Sequence, residues 1–589
     1  MTPTADAPAP DRPAKRPPRA RELTLRSIVA ALFVAAVIGA SYPYIVMKLG
    51  FGPNISVVSA FFGYLALGIF FKDYNRWENN IVQTAGTAAG QTAFLCVLMA
   101  AFDFLHQDPS LHFDLVITPL QSFLWLTTAG ILGVFLAVPM RRHFVVDEKL
   151  PFPDGIAAAE TLIVLDSRGP EARSAARSMG VATVVSAALM TLREDARVLA
   201  PAWYRIPEMT PLGPTGPTMG FGIGWSLLSL GSGMLVGLRV TLSMALGAVL
   251  SWAILPGILL SHGAVDALVR RKVLLWVMWP ATGLMVSAGL TALILRWRTL
   301  ARTFENMSAS SIDASDFPMS WVIGGSVLSG LALVAVQKVC LGTPVWMTLL
   351  AVAASLPLML VSLRVLGETN WGPISVMSNM MQAVFGLVAP GQIGANMIAS
   401  GVTGSIAAES EGLMQDYKTG EIIGSSPRAL TYAQLMAVPV GAAAVSYVYP
   451  LLRATYGIGG DHGLQSPISQ KWAGFAQLLS KGTAGLPPGA IAALALSVIA
   501  GVLLSVLEST RYKKWTPSPT GLGIGMLVPA SAVTTMFLGS VAETIWGRVS
   551  PKSHARQLTP LASGFIAGEA IVAVVLPILV AIGLLTLQP

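Results

Sequence analysis

The sequence predicts an all-α integral membrane protein of about sixteen transmembrane helices in two pseudo-repeated halves, with short re-entrant or broken helices among them. Three observations predict it. Hydrophobic residues make up 53% of the chain and charged residues only 12%, about half the ~25% charged content of a soluble domain. That leaves too little polar surface to coat the several water-exposed cores that 589 residues would otherwise build. Apolar stretches long enough to cross a bilayer as helices, about 20 residues each, recur along the whole chain, and the mean hydropathy is +0.65. The 38 Lys and Arg residues sit in the short loops between these stretches and in an N-terminal tail, as the flanks of membrane helices do.

The elements follow in chain order. Residues 1–25 are rich in Pro, Ala and Arg, lack an apolar core, and read as a disordered basic cytoplasmic tail. The run 26–47 is too long for a signal-peptide core, and no small-residue cleavage site precedes the next span, so it is a retained first helix. Spans at 54–72, 79–105, 115–138, 177–198, 218–236 and 239–260 complete an N-terminal transmembrane half, 26–272. The segment 151–166 is short, opens with Pro, Asp and Gly, and contains Glu160, which predicts a re-entrant piece. The C-terminal half, 273–589, holds spans at 273–295, 320–340, 344–366, 375–388, 390–408, 428–450, 489–508, 521–547 and 560–586. With both termini cytoplasmic, most basic residues fall inside. The two long Gly/Pro-rich loops, 199–217 and 451–488, then lie outside, either covering the external mouth or serving as disordered connectors.

Three matched patterns point to duplication. Gly52-Pro53 recurs as Gly372-Pro373, Asn80 as Asn396, and Gly222-Ile223-Gly224 as Gly523-Ile524-Gly525, at offsets of 320, 316 and 301. Chance matches would scatter, whereas duplicated halves are a common construction of membrane carriers.

Polar residues inside apolar spans are costly, so their pattern carries the chemistry. In 78–91, Asn80, Gln83, Thr84, Thr87 and Gln91 share one helical face, with Asn79 beside them. Facing lipid, each would go unsatisfied at a cost of several kcal/mol. That face therefore meets other helices through hydrogen bonds, alongside close packing at Gly86, Ala89 and Gly90, or lines a cavity of amides and hydroxyls. Between 368 and 428 the hydrophobic stretches are interrupted at Gly372-Pro373 and Pro390-Gly391. Broken helices expose backbone groups to a substrate, which makes Asn379, Gln382, Gln392 and Asn396 candidate lining groups. Glu409, Glu411, Gln415, Asp416 and Lys418 mark the cytoplasmic end of that stretch, as part of a site or as a solvated loop. Isolated acids at Glu160, Glu543 and Glu569 fall in apolar runs. Intramembrane carboxyls mark functional sites by default, and removal from water disfavours the charged form, which suits proton uptake and release; a structural hydrogen bond is the alternative.

Other classes find little support. The net charge of +8 forms no continuous basic stripe, which excludes nucleic acid as a partner. Cys96 and Cys340 lie in apolar segments and read as small buried residues. Six histidines, no His/Cys cluster and dispersed methionines predict no metal site and no cofactor. No HExxH, GxSxG or paired catalytic acids occur, so no catalytic residues are assigned and an enzyme is not predicted. The Gly-rich fragments 231–237 and 521–525 follow no strand and read as helix packing rather than phosphate loops.

Five stretches carry a family resemblance: ENNIVQTAGTAAG at 78–90, LPFPDGIAAAE at 150–160, QDYKTGEIIGSSPRALTYAQ at 415–434, GLGIGMLVPASAVTTMFLGS at 521–540 and LASGFIAGEAI at 561–571. Together, in this order, they resemble the oligopeptide transporter family, in its yellow stripe-like and prokaryotic branch. The NPG and KIPPR motifs of the fungal and plant peptide-transporting branch have no close match, so that branch's tetra- and pentapeptide specificity is not carried over. The resemblance implies sixteen spans and proton-coupled uptake of small peptides or metal chelates of amino-acid-like ligands, and it is compatible with a homodimer. Neutral amides and broken helix ends suit such substrates, binding carboxylates and amines without a large desolvation penalty.

The expected protein is thus a secondary active importer in the plasma or inner membrane, its partners being lipid, protons and a small-molecule substrate. Sodium coupling, a passive transporter and a membrane-embedded enzyme are the alternatives. Expected substrate-binding residues are Asn79, Asn80, Gln83, Thr84, Gln91, Asn379, Gln382, Asn396 and Gln415. Expected proton-coupling residues are Glu569, Glu543, Glu160 and Glu409.

Overall fold

A computed structural model describes residues 21–49, 55–68, 70–111, 113–166, 170–193, 206–213, 216–295, 317–369, 372–460, 463–481, 487–581 and 584. Residues 1–20 of the tail, Gly52-Pro53 and parts of both long loops lie outside the described residues.

The described chain is almost wholly helical. Its first part comprises α1 (Leu25–Leu49), α2 (Ile55–Gly63, continued by a π-helical turn Tyr64–Gly68), α3 (Arg76–Phe94) and α4 (Cys96–His106). Then come α5 (Pro119–Ala137), α6 (Pro153–Asp166) and α7 (Pro170–Leu192). A small antiparallel hairpin follows, β1 (Met209–Pro211) and β2 (Gly222–Gly224), with Thr210 opposite Ile223 and a short helical turn α8 (Gly216–Met219) between them. Next are α9 (Leu227–Val236), α10 (Leu238–Val249), α11 (Leu255–Ser261) and α12 (Arg270–Leu295). The later part holds α13 (Met319–Cys340), α14 (Val345–Thr369), α15 (Ile374–Val388), α16 (Ile393–Ile423) and α17 (Pro427–Tyr456). It ends with α18 (Pro467–Lys481), α19 (Ala490–Glu508), α20 (Pro519–Leu527), α21 (Ala530–Val549) and α22 (Pro551–Ala581).

Among the described residues, ten helical stretches are long and apolar enough to cross a membrane. Three shorter apolar helices, Ile55–Gly68, Leu227–Val236 and Ile374–Val388, accompany them. The outward faces of α13 and α19 are apolar and exposed, with Trp321, Ile323, Leu328 and Leu331 on one and Leu496, Ile499 and Leu503 on the other. Such faces need lipid as their solvent. Cys96 is buried and Cys340 half-buried.

Four expected elements differ. The expected span 218–236 is half hairpin, and the ten residues of α9 rise only about 15 Å. The expected span 521–547 breaks at Val528-Pro529, where proline lacks an N–H and holds Val528 extended at ψ 145°. The loop 451–488 contains a buried helix, α18. The largest correction is α16. Expected to stop at residue 408 before an acidic cytoplasmic end, it runs 31 residues, through every one of those acids, to Gly424 at φ 81°. No Gly or Pro breaks the helix between 405 and 423 strongly enough to offset packing on every side.

Packing brings distant segments together. The first helix, α1, lies against α3, α17 and α22, while α16 lies against α3, α5, α6, α14 and α15. Small residues permit this closeness: a side-chain carbon added at Gly133 would lie 2.9 Å from the Ile406 backbone, and one at Gly441 2.7 Å from Ala89. The triplet α1–α2–α3 is matched by α14–α15–α16, whose starts are offset by 320, 319 and 317 residues. In each triplet the first two helices pack on the third. The Gly-Ile-Gly pair does not extend this match, being strand at 222–224 and helix at 523–525.

Candidate functional site

The site is built on two helices that run antiparallel. The polar helix α3 starts at Asn75, whose side chain accepts from the Glu78 N–H at 2.9 Å, an N-cap that fixes the helix phase. Glu78 at that end is held by Arg26 at 2.6 Å and Thr24 at 2.6 Å. One side of α3 packs through small residues: a carbon added at Gly86 would meet Ser59, and one at Gly90 would meet Ile55. The other side presents Gln83, Thr87 and Gln91 to α16.

The partner helix supplies carboxyl groups. Thr92 donates to Glu409 at 2.6 Å, and Gln434 of α17 donates to the same carboxyl at 2.8 Å. Two turns further along, Gln83 donates to Asp416 at 2.6 Å and to Thr87 at 2.9 Å. Residues seven apart lie on one helical face, so Glu409 and Asp416 both look toward α3. Glu411 points the other way, taking a short hydrogen bond from Ser362 of α14 and lying against the backbone at Gly372. All three acids are at most 2% exposed. Among the described residues none of them forms an ion pair; every donor is a neutral hydroxyl or amide. Asp416 Oδ2 and Gln83 Oε1 are buried without a hydrogen bond. Removing a charge from water without a counter-charge is costly, and here only neutral donors offset that cost.

The expected binding residues divide. Gln83 and Gln91 lie on the seam, and Gln415 is 6% exposed with no hydrogen bond to its side chain among the described residues. Asn80 donates to Ser425 at 2.9 Å, closing the turn after α16. Asn79 donates to the Ala60 carbonyl and the Tyr74 hydroxyl, an interhelical tie to α2. Thr84 is buried with its hydroxyl unbonded. The broken-helix residues form a second cluster. Asn379 donates to Gln382 at 2.6 Å, Asn396 to the Gln382 carbonyl at 2.6 Å, and Gln382 to the Trp472 carbonyl at 3.1 Å. The break between α15 and α16 turns at Gly391, φ 79°, a conformation that glycine tolerates.

The four expected proton-coupling acids stand in four different settings. Glu569 is clamped by Lys48 at 2.8 Å, Arg193 at 2.9 Å, the Ser226 hydroxyl and the Leu228 N–H at the start of α9. These contacts tie together α1, the end of α7, α9 and α22. Glu543 is partly exposed and bonds His554 at 2.8 Å, bracing the corner between α21 and α22. Glu160 is exposed and lines an open cavity of about 620 Å³ between α2, α6, α7 and α22. Only Glu409 sits in the seam. Sequence reasoning missed Asp416 and Glu411 as interior groups, together with their donors Thr92, Gln434 and Ser362. The available signal was the absence of a stop before Gly424: a helix extended to that glycine carries all three acids inside.

Comparisons with known proteins agree with this architecture. The family model described as OPT oligopeptide transporter protein matches residues 22–580. A Saccharomyces cerevisiae protein named for oligopeptide transport is 23% identical over 94% of this chain and 95% of its own length. A metal-nicotianamine transporter from rice is 23% identical over 93% of this chain and 91% of its own. A Haemophilus influenzae protein, also named for oligopeptide transport, is 23% identical over 92% and 93%. With a match that runs from the first described residues to the end of α22, this integral membrane chain belongs to the oligopeptide transporter family.

Proposed function

We propose that this protein is a proton-coupled secondary transporter that imports small peptides or metal chelates of amino-acid-like ligands. The observation that carries the reading is the seam itself: Glu409 and Asp416 on one face of α16, each bonded only to neutral donors and enclosed against α3. A carboxyl so placed exchanges a proton without disturbing an ion pair. Thr92, Gln434 and Gln83 hold the charged form when the proton leaves. The substrate class rests on the relatives, whose names divide between oligopeptides and metal–nicotianamine. Both kinds of substrate combine carboxylates with amines, which amide side chains such as Gln91 and Gln415 recognise without large charge desolvation. In this reading Glu569 is a positioning residue and takes no part in proton transfer.

The test is uptake of trialanine and of iron–nicotianamine into proteoliposomes under an imposed pH gradient. Accumulation of at least one, abolished by a protonophore, is expected. Glu409→Gln and Asp416→Asn keep the side-chain size and remove the exchangeable proton. They should lower gradient-driven accumulation about tenfold or more while leaving substrate counterflow. Accumulation that a sodium gradient drives and a protonophore leaves intact refutes proton coupling.

A further inference from the structure

Helix α18 lies where the sequence suggested an external loop, yet residues 464–474 are buried apart from the half-buried Ile468. It is wedged among α1, α4, α12, α15, α16 and α20, and so touches both the early and the late part of the chain. Three contacts fix it there. The Ser466 N–H donates to the Met47 carbonyl at the end of α1 at 2.8 Å. The Trp472 indole donates to Ser375 of α15 at 2.7 Å. The Trp472 carbonyl accepts from Gln382 at 3.1 Å, which links α18 to the broken-helix cluster.

Within this wedge stands Lys471, 7% exposed. Among the described residues the other buried Lys and Arg side chains are paired: Arg193 with Glu569 and Arg364 with Glu148. Lys471 has neither an ion pair nor a hydrogen bond among the described residues, and it neighbours serine and glutamine rather than an acid along the helix, at Ser466, Ser469 and Gln470. An enclosed ammonium without a counter-ion costs several kcal/mol; burial pushes the Lys471 amine down to about 7, so the group either gives up its proton or keeps it by meeting an anion from outside the fold. Lysine suits the task as a compact charge on a flexible stem.

We propose that Lys471 is the anchor for a substrate carboxylate, one residue before the Trp472 carbonyl that ties α18 to Gln382. This rests on the transport reading above for its substrate class and adds the group that reads the substrate's negative end. The seam at Glu409 and Asp416 then meets the proton or cationic part, and Lys471 meets the carboxylate. Peptides and nicotianamine-type chelators both carry such a group.

The test uses the purified full chain and reads Lys471 directly. Acetic anhydride labelling, followed by peptide mass spectrometry, is compared with and without nicotianamine, trialanine and trialanine amide. Nicotianamine or trialanine should lower labelling of Lys471 about tenfold, trialanine amide should not, and Lys272, exposed and paired with Asp266, should be unaffected. Lys471→Met should melt no lower than the unmodified protein, because it removes an uncompensated buried charge. It should also lose the melting shift that the carboxylate ligands produce, and Lys471→Arg should keep part of that shift. Equal ligand shifts in Lys471→Met, or labelling that none of the three compounds changes, overturns the anchor. Proton-driven uptake without protection of Lys471 leaves the transport reading standing and removes this one. Protection without proton-driven uptake does the reverse.

Discussion

At the scale of single residues, the decisive variable is what surrounds each buried acid. Glu569 and Glu409 are equally hidden, yet one is held by two cations and the other by a threonine and a glutamine. The difference predicts opposite behaviour on neutralisation. Glu569→Gln leaves Lys48 and Arg193 facing each other without their acid, and breaking such a buried pair costs about 3–5 kcal/mol. A large drop in melting temperature is expected, with any loss of transport following the loss of folded protein. If Glu569→Gln instead melts normally and fails only in proton-driven accumulation, the acid belongs with the coupling groups. In the sequence the two acids look alike, since each sits in a run of Ala, Gly and Ser. Their partners are remote: Lys48 lies 521 positions from Glu569 and Thr92 lies 317 from Glu409.

At the scale of elements, the ends of α16 set the site. Its start follows the Gly391 turn, and its end is Gly424, whose left-handed backbone closes the helix so that Ser425 meets Asn80 and the Ile423 carbonyl meets the Trp77 indole. Gly424→Ala forces a side chain into that conformation at about 1 kcal/mol, and a lower melting temperature is expected. Gly394→Ala, inside the first turn with open space around it, should be neutral or stabilising. Equal effects at the two positions would show that the backbone at 424 is not what ends the helix. The polar face of α3 was legible from its spacing alone. The length of α16 was not, because Glu409, Glu411, Gln415, Asp416 and Lys418 within ten residues fit a solvated loop as well as a site unless the surrounding helices are known to enclose them.

At the scale of the whole molecule, α3 and α16 belong to matched triplets and meet along the seam. If they shift against each other during transport, fixing them stops it. A carbon added at Gly412 would lie 3.1 Å from Gln91 Cγ, close enough for a disulfide between Gln91→Cys and Gly412→Cys after small adjustment. The pair, built on a chain lacking Cys96 and Cys340, should cross-link under mild oxidant. Uptake should fall about tenfold and return with reductant. Full uptake in the cross-linked state would mean that the two helices travel as one body.

The sequence by itself determined the solvent and the helical class. Low charge, repeated apolar runs and the amide-bearing face of α3 are local properties, set by residues within a few turns of one another. The family stretches add the family in the same way, because each is a short run. Tertiary structure alone decided which acids are paired and which are enclosed by neutral groups. It also placed α18 in the interior and carried α16 on to Gly424. The physical reason is that burial and counter-charge are properties of neighbours, and in this fold those neighbours come from other helices, 521 positions apart for Lys48 and Glu569.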